Sequence, residues 1–175
     1  TAPVISAHDP VTAEATSADG AVVAYDSPTA TDLVDGSVVV ACLPVSNSTF
    51  DLGDTTVNCS ATDIHSNTAN SSFTVSVVDT TDPSIAAPID ITQEANGVLS
   101  TVDLGTPIVS DAVDASLIVT NNAPAGFPVG TTVVTWTATD ASGNSQTDTQ
   151  SVTITDLTPP TITSPADQTF EATGP

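Results

Sequence analysis

The sequence predicts an all-β fold made of tandem β-sandwiches, with two complete units and the start of a third. Glutamate occurs only three times, always in a similar phrase: Glu14 in TAEA, Glu94 in TQEA and Glu171 in TFEA. The spacings of 80 and 77 residues indicate an internal repeat, and 175 residues hold two such periods. Lysine, arginine and methionine are absent while Thr, Val, Ser and Asp dominate, a composition typical of strands and turns.

Three proline phrases mark where each unit opens: Pro3 in APVI, Pro83 in DPSI and Pro160 in PPTI. The predicted boundaries are 1–79 for the first domain, 80–156 for the second and 157–175 for the first strand of a truncated third repeat. Each of the two full domains is large enough to enclose one hydrophobic core. We expect the chain to be a segment of a longer array.

Matching strand patterns recur in both domains. VNCSATD at 57–63 corresponds to VTWTATD at 134–140, and in both the apolar residues alternate with polar ones, as in half-buried strands. Further strands are predicted at 21–25, 37–42 and 72–78 in the first domain, and at 117–120 and 151–155 in the second. About seven short strands per domain, separated by clusters of Gly, Pro, Asn and Asp, favour an immunoglobulin-like β-sandwich over a small barrel.

The formal net charge of −21 is uncompensated because the chain has no lysine or arginine. A nucleic-acid partner is therefore excluded, since no basic side chain is present to displace counterions from phosphates. Anionic membranes are disfavoured for the same reason. No run approaches the roughly 18 to 20 apolar residues of a membrane span, so membrane insertion is not expected. Cations, in contrast, should be concentrated near this surface.

Cys42 and Cys59 are the only cysteines, and both lie in the first domain. We predict a disulfide between them, with free buried thiols as the alternative. A disulfide indicates an oxidising, extracellular setting. Three sequons fit that setting and are candidate glycosylation sites: Asn47, Asn58 and Asn70.

In the second domain Trp136 takes the position of Cys59, and Asn122 lies near that of Cys42. We interpret Trp136 as a large core residue that fills the space occupied in the first domain by the predicted disulfide.

Acidic loops recur at the pole where the chain enters each domain. Asp32, Asp35 and Asp63 of the first domain correspond to Asp111, Asp114 and Asp140 of the second. The first strand runs away from this pole, so Glu14 should lie at the opposite pole, beside the linker residues Asp79 and Asp82. The first domain's acidic residues would then face those of the second across the junction.

Such a cluster would be strongly repulsive without a cation, because each close pair costs on the order of a few kcal/mol at intermediate dielectric. Calcium fits best, since it accepts about six to eight oxygen ligands in flexible geometry whereas magnesium requires a tighter octahedron. The layout is similar to that of cadherin junctions, where acidic loops and a linker share calcium. The candidate ligands are Glu14, Asp79, Asp82, Asp111, Asp114 and Asp140 at the junction, Glu94 and Asp156 at the next one, and Asp32, Asp35 and Asp63 at the N-terminal pole.

Two other interpretations of these acids stay open. Aspartate in loops is ordinary turn chemistry, in which its side chain caps backbone amides. An acidic surface can also serve solvation at high salt. The repeated glutamate favours calcium, because turns prefer Asp or Asn.

Transition-metal and catalytic sites find little support. The two histidines, His8 and His65, lie in different loops without a ligand-spaced partner, and His65 takes the position of Gly143 in the second domain. No GxSxG or comparable nucleophile signature is present. We therefore expect the chain not to be an enzyme.

Three phrases of the first domain resemble hyalin repeat (HYR) domains: GAVVAYDSPTATD at 20–32, FDLGDTTVNCSATD at 50–63 and FTVSVVDTTDP at 73–83. The second domain resembles them more loosely, because it lacks both cysteines and has PIVSD in place of PTATD. The resemblance implies an immunoglobulin-like sandwich in extracellular proteins, often in tandem arrays linked to adhesion. It does not imply an enzyme.

These observations favour an extracellular stalk, fibre or filament whose domain junctions are rigidified by calcium. Its partners would be neighbouring repeats and copies of itself. The first alternative is a cell-surface adhesin that binds a surface receptor or glycan, through loops such as 43–47 or 123–126 that differ between the domains. The second is a strand-exchanging filament subunit, in which 161–172 adds as a strand to a neighbouring chain.

Overall fold

The computed structural model describes residues 1–171 and 173–174, and every regular element in this part of the chain is a β-strand. The strands of the first unit are β1 (Val4–Ile5), β2 (Val11–Glu14), β3 (Ala21–Val23), β4 (Ala30–Asp32), β5 (Gly36–Val38), β6 (Val40–Leu43), β7 (Ser48–Phe50), β8 (Gly53–Thr62) and β9 (Thr68–Val78). Those of the second unit are β10 (Ser84–Ala86), β11 (Ile91–Glu94), β12 (Ile108–Ser110), β13 (Ile118–Asn121), β14 (Gly130–Thr139) and β15 (Ser145–Thr155). The predicted all-β class is confirmed.

One four-stranded sheet forms the larger layer of the first unit, in the order β2-β9-β8-β6. Strands β8 and β9 pair antiparallel over ten residue pairs, from Gly53 opposite Val77 to Thr62 opposite Thr68. Strand β2 instead lies parallel to β9, with Glu14 opposite Val78. The facing layer consists of β1-β4-β5 and the pair β3-β7.

The predicted alternation of β8 orients its apolar side chains inward. Val57, Cys59 and Ala61 are buried, and the residues between them are exposed or half-buried. Val57 and Cys59 pack with Phe50 of the facing layer and Phe73 of β9. Burying one face of each sheet in this way supplies the main stabilisation of a sandwich.

The second unit repeats the four-stranded sheet in the order β11-β15-β14-β13, again with its first strand parallel to its last. Its facing layer is reduced to the pair β10-β12 and an isolated bridge between Ser100 and Phe127. The core consists of Phe127, Val134, Trp136, Val152 and Ile154.

Cys42 and Cys59 form a disulfide and lie directly opposite each other on β6 and β8. The prediction of this crosslink is confirmed. In the second unit the corresponding pair is Asn121 opposite Trp136. Asn122, which the sequence placed near the Cys42 position, lies one residue further along.

Trp136 is buried in the core, as expected, and its indole nitrogen donates a hydrogen bond to Gln150 Oε1 at 3.2 Å. The amide nitrogen of Gln150 donates to the backbone oxygens of Ile89 (2.8 Å) and Leu104 (3.1 Å). One buried side chain therefore ties two loops to the central sheet of the second unit.

No strand is present in the described residues after Thr155. Leu157, Ile162 and Phe170 are exposed in this segment. The predicted third repeat, 157–175, and the strand-exchange segment, 161–172, include Ala172 and Pro175, which lie outside the described residues.

Candidate functional site: the junction between the two units

The carboxylate of Glu14 lies at the C-terminal pole of the first unit, because β2 runs parallel to β9. It accepts hydrogen bonds at 2.8 Å from the backbone amide of Thr80, the hydroxyl of Thr80 and the hydroxyl of Thr81. The amide of Thr80 is the largest of the effects that lower the pKa of Glu14. This glutamate therefore fastens the segment that follows β9 to the end of β2.

Asp79, the first residue after β9, contacts the second unit directly. Its carboxylate accepts a hydrogen bond from the hydroxyl of Ser142 at 3.2 Å, and its backbone oxygen accepts one from the side-chain amide of Asn144 at 3.1 Å. Asp79 is only 8% exposed. An apolar contact accompanies these bonds, because Val113 of the second unit packs against the core cluster of the first.

The aspartates of the second unit's N-terminal pole are capped by nearby backbone amides. Asp111 accepts from the amides of Val113 and Asp114 at 2.8 Å, and the Asp114 amide is the main cause of the lowered pKa of Asp111. Asp114 accepts from the amides of Ser116 (2.7 Å) and Ala141 (2.8 Å). The last bond joins the two loops of this pole.

Asp140 is buried and accepts both the backbone amide and the side-chain amide of Asn144, each at 2.8 Å. Asp82 is exposed in the linker. Most of the junction carboxylates thus accept hydrogen bonds from N–H and hydroxyl donors. The absence of lysine and arginine gives no information about such donors.

The N-terminal pole of the first unit repeats this capping. Asp32 accepts from the amides of Val34 (2.7 Å) and Asp35 (3.1 Å) and from the Thr1 hydroxyl (2.9 Å). These bonds, the Val34 amide first, lower the pKa of Asp32 to about 2. Asp63 accepts the side-chain amide of Asn67 at 2.7 Å, and this bond is the main cause of its lowered pKa.

His65 does have an acidic partner, contrary to the expectation from the sequence. Its Nδ1 lies 3.5 Å from Asp35 Oδ2, an oxygen that is buried and has no hydrogen-bond partner. The two residues are 30 positions apart in different loops, so no local motif could reveal the contact. Ser66 and Gly143 both have positive φ, 67° and 95°, which aligns His65 with Ser142 rather than with Gly143.

Among the described residues, one group of three His, Cys, Asp or Glu side chains brings its ligand atoms within 4.8 Å of one another: Asp35, Asp63 and His65. Two of these are predicted metal ligands. Glu14 and Asp79 lie at the C-terminal pole of the first unit, and Asp111, Asp114 and Asp140 lie at the facing pole of the second. Among the described residues, no three of these five carboxylates bring their oxygens within 4.8 Å of one another.

The C-terminal pole of the second unit repeats the arrangement around Glu14. Glu94 accepts the backbone amide of Leu157 at 2.6 Å and the hydroxyl of Thr158 at 3.3 Å, while Asp156 accepts the amide of Thr158 at 3.1 Å. Asp156 is exposed, whereas its counterpart Asp79 is buried against the second unit. The repeated glutamate therefore holds the following segment in both units.

The sequon asparagines Asn47, Asn58 and Asn70 are all exposed. Asn58 and Asn70 lie on the outer face of the four-stranded sheet, and Asn47 lies in the turn before β7, with φ 63°. The described residues include no helix of the length and apolar character needed to cross a membrane.

Comparison with known proteins agrees with this architecture. Hyalin from Strongylocentrotus purpuratus is 40% identical over 162 residues, which are 82% of this chain and 13% of hyalin. Hyalin from Lytechinus variegatus is 37% identical over 164 residues, 84% of this chain and 30% of that protein. The chain thus spans less than a third of either relative.

A third relative is the serine-rich adhesin for platelets of Staphylococcus aureus, 32% identical over 110 residues, which are 56% of this chain and 8% of the adhesin. The model of the HYR domain matches twice and covers most of the chain, at residues 1–77 and 78–154. The chain therefore belongs to the HYR domain family.

Proposed function

We propose that this chain is a repeat segment of an extracellular stalk, fibre or filament with an adhesion-type role and no enzymatic activity. The observation that carries the proposal is the direct junction, in which Asp79 bonds to Ser142 and Asn144 while Val113 packs against the first core. Contacts of this kind let each unit orient the next. The similarity to hyalin and to a bacterial adhesin supports the same class of function.

We also propose limits for the domains on either side of this junction. We place the first domain at 1–79, the second at 80–156 and the start of a third repeat at 157–175. Support comes from the two capped carboxylates: Glu14 holds residues 80–81 and Glu94 holds 157–158 just after each last strand. A linker fastened in this way favours a stiff, rod-like array.

Calcium is the proposed cofactor of the array, because carboxylate oxygens that a hard cation accepts lie at the poles of the units. Asp35 Oδ2 is buried without a donor, so the N-terminal pole of the first unit has an oxygen available to a hard cation, with Asp63 beside it. The junction carboxylates of Glu14, Asp79 and Asp140 keep further lone pairs besides those that accept hydrogen bonds. Bound calcium would supply positive charge to a chain that has no lysine or arginine.

Thermal melts with millimolar calcium and with chelator test the cofactor, because a ligand that binds only the folded state raises the melting temperature. We expect a rise of several degrees, reduced by Asp35→Asn and retained by Asp9→Asn, an exposed carboxylate in the segment between β1 and β2 that is not a predicted ligand. Identical melts with and without calcium would show that calcium is not bound.

Small-angle scattering of the same samples tests the array itself: an elongated particle is expected, and a compact or freely jointed one would contradict it.

An extracellular setting agrees with the Cys42–Cys59 disulfide, because such bonds persist in oxidising compartments. N-glycosylation at Asn47, Asn58 and Asn70 belongs to the same proposal, since all three are exposed. Expression through a secretory pathway and mass measurement before and after glycosidase treatment would detect it. An unchanged mass would contradict glycosylation and leave the array proposal intact.

The second candidate is a cell-surface adhesin for a receptor or glycan. It is favoured by Leu43, at the end of β6, and Val45, in the loop that follows, which are large, apolar and exposed where the two units differ. Cell-adhesion assays on surfaces coated with the chain should then show binding that Leu43→Asp weakens and Val22→Asp, on another strand, does not. Absence of adhesion would leave the structural array as the function.

Strand exchange by 161–172 predicts a dimer that disappears when this segment is removed.

A further inference from the structure

The first strand of each four-stranded sheet lies parallel to the last strand of the same unit. Strand β2 pairs with β9 from Val11 opposite Val75 to Glu14 opposite Val78, and β11 pairs with β15 in the same way. In a tandem array, tension pulls the N-terminal end of the first strand and the C-terminal end of the last strand in opposite directions. Because the two strands are parallel, this tension slides one along the other and loads the hydrogen bonds between them together.

Further hydrogen bonds extend this strand pair at the pole where the chain leaves each unit. The backbone amide of Ala15 donates to the oxygen of Val78, and that of Ala95 donates to the oxygen of Thr155, both at 2.7 Å. Thr155 also donates through its hydroxyl to the backbone oxygen of Gln93 at 3.2 Å. The pairing therefore continues up to the residues on which the next part of the chain would pull.

The side chain of Glu14 continues the strand pair of the first unit. It accepts the amide and the hydroxyl of Thr80 and the hydroxyl of Thr81, all at 2.8 Å. A pull from the second unit moves both threonines away from β2, so these bonds are loaded directly. Each bond is exposed and adds little stability at rest, because water replaces it once it opens. We call Glu14 and its two threonine partners the glutamate clasp of the first unit.

The second unit has an equivalent glutamate clasp, formed by Glu94 with Leu157 and Thr158. Glu94 accepts the amide of Leu157 at 2.6 Å and the hydroxyl of Thr158 at 3.3 Å. The length of the side chain explains why glutamate recurs at this position, since aspartate is one carbon–carbon bond, about 1.5 Å, shorter. The chain uses glutamate only here, at Glu14 and in the third copy of the same phrase, at Glu171.

We propose that the parallel strand pair and its glutamate clasp bear tension along the array, so that each unit resists unfolding when the array is stretched. The clasp connects the chain that leaves a unit to the first strand of that unit's sheet, and it does so without lysine or arginine. The proposal rests on the array function proposed above, to which it adds a mechanical role. The two are tested separately, because scattering can show a rod whose units open at low force.

Force-clamp measurements on the full chain, held by its two ends, test this role. A chelator in the buffer removes calcium, so that the outcome of the calcium melts has no influence on the result. The two proposed domains are of nearly equal length, but the Cys42–Cys59 disulfide keeps 17 positions of the first from extending. At about 3.5 Å per residue, the unfolding step of the first unit is shorter by about 60 Å. Every unfolding event can therefore be assigned to one unit.

Removing one clasp should weaken one unit only. At constant force, Glu14→Ala should raise the unfolding rate of the first unit at least about tenfold, because hydrogen bonds to a charged acceptor no longer have to break. The rate of the second unit should stay unchanged, and Glu94→Ala should give the reverse result. Glu14→Asp should behave like Glu14→Ala, since the shorter side chain does not reach both threonines.

Two controls separate the clasp from net charge and from ordinary stabilisation. Asp26→Ala removes a carboxylate from an exposed position between β3 and β4 and should leave both rates unchanged. Unfolding in urea measures Glu14→Ala without a pulling direction. The rate should rise less there than at constant force, because unfolding can then begin at other strands. Far-ultraviolet circular dichroism confirms that all variants are folded.

Three results would overturn the proposal: equal unfolding rates for Glu14→Ala and the unchanged chain, faster unfolding of both units in Glu14→Ala, or an increase in urea as large as that at constant force. The last result would make Glu14 an ordinary stabilising residue with no particular role under tension.

Discussion

The side-chain amide of Asn144 donates at once to the carboxylate of Asp140 in its own loop, at 2.8 Å, and to the backbone oxygen of Asp79 in the preceding unit, at 3.1 Å. Asn67 makes the first of these bonds in the first unit, to Asp63 at 2.7 Å. The loop of one unit and the junction between two units therefore depend on the same side chain.

This relationship predicts a difference between two equivalent substitutions. Asn144→Ala and Asn67→Ala should both destabilise their loops, but only Asn144→Ala should loosen the junction. Small-angle scattering at low concentration, with and without the substitution, measures the resulting spread of angles between the units. Equal scattering profiles for the two variants would mean that the Asp79 contact does not hold the units together.

The buried amide of Gln150 predicts a large effect on the second unit. In Gln150→Ala the Trp136 indole nitrogen and the oxygens of Ile89 and Leu104 lose their partner. The bond to Trp136 is buried, whereas the bonds to the two backbone oxygens are part-buried, so water can replace them. Leaving one buried polar group unpaired costs about 1–3 kcal/mol, and we expect a loss in this range. Urea unfolding followed by Trp136 fluorescence measures it, because this is the only tryptophan.

The control for this prediction lies on the same strand. Gln146 is exposed, and Gln146→Ala should change the free energy of unfolding by less than about 0.5 kcal/mol. If the two variants lost similar amounts of unfolding free energy, the hydrogen bonds of Gln150 would not be an important source of stability.

The disulfide should stabilise the first unit without affecting the second. Cys42 and Cys59 are 17 positions apart, and closing a loop of this size contributes about 3 kcal/mol in the chain-entropy account. The double variant Cys42→Ala, Cys59→Ala should therefore unfold its first unit earlier. Tyr25, the only tyrosine, reports on that unit, while Trp136 reports on the other. If the Tyr25 and Trp136 signals shifted by the same amount, the two units would not unfold independently.

The strand pattern was the most predictable feature of this chain. Alternation in 57–63 and 134–140 marked the strands β8 and β14, because a sheet with one buried face imposes a period of two on its sequence. Strands β9 and β15 begin earlier than expected, at Thr68 and Ser145, since their first residues are polar and exposed. Hydrogen bonds to a neighbouring strand extend both strands, and the amino-acid composition gives little indication of such bonds.

The candidate site was predictable in position but not in contacts. Strand direction placed Glu14 beside residues 79–82, and the structure has it bonded to Thr80 and Thr81. Counting charges suggested that acids without basic partners need a cation, whereas the backbone amides that cap Asp111 and Asp114 agree with the alternative of turn chemistry. The pair Asp35 and His65, and the buried Gln150, depend on tertiary contacts between distant segments.

Capped aspartates make stability depend on pH in the acidic range. The pKa of Asp32 is about 2 in the folded protein against 3.8 for the unperturbed group, so the unfolded chain binds more protons between these values. The stabilisation is fully present above about pH 4 and is lost as pH falls towards 2. We expect the melting temperature to fall over this interval, and Asp63, Asp111 and Asp148, whose pKa values are also lowered, add to the fall.

Asp32→Asn isolates one contribution to this slope. The neutral amide oxygen still accepts from the backbone amides of Val34 and Asp35, but more weakly than a carboxylate, so the variant should melt lower at pH 7. Because position 32 then no longer titrates, its melting temperature should fall less between pH 4 and pH 2. Asp51→Asn removes the same formal charge from an exposed site and separates the effect of net charge from that of capping. If the two variants show the same slope, the hydrogen bonds to Asp32 do not determine the acid stability.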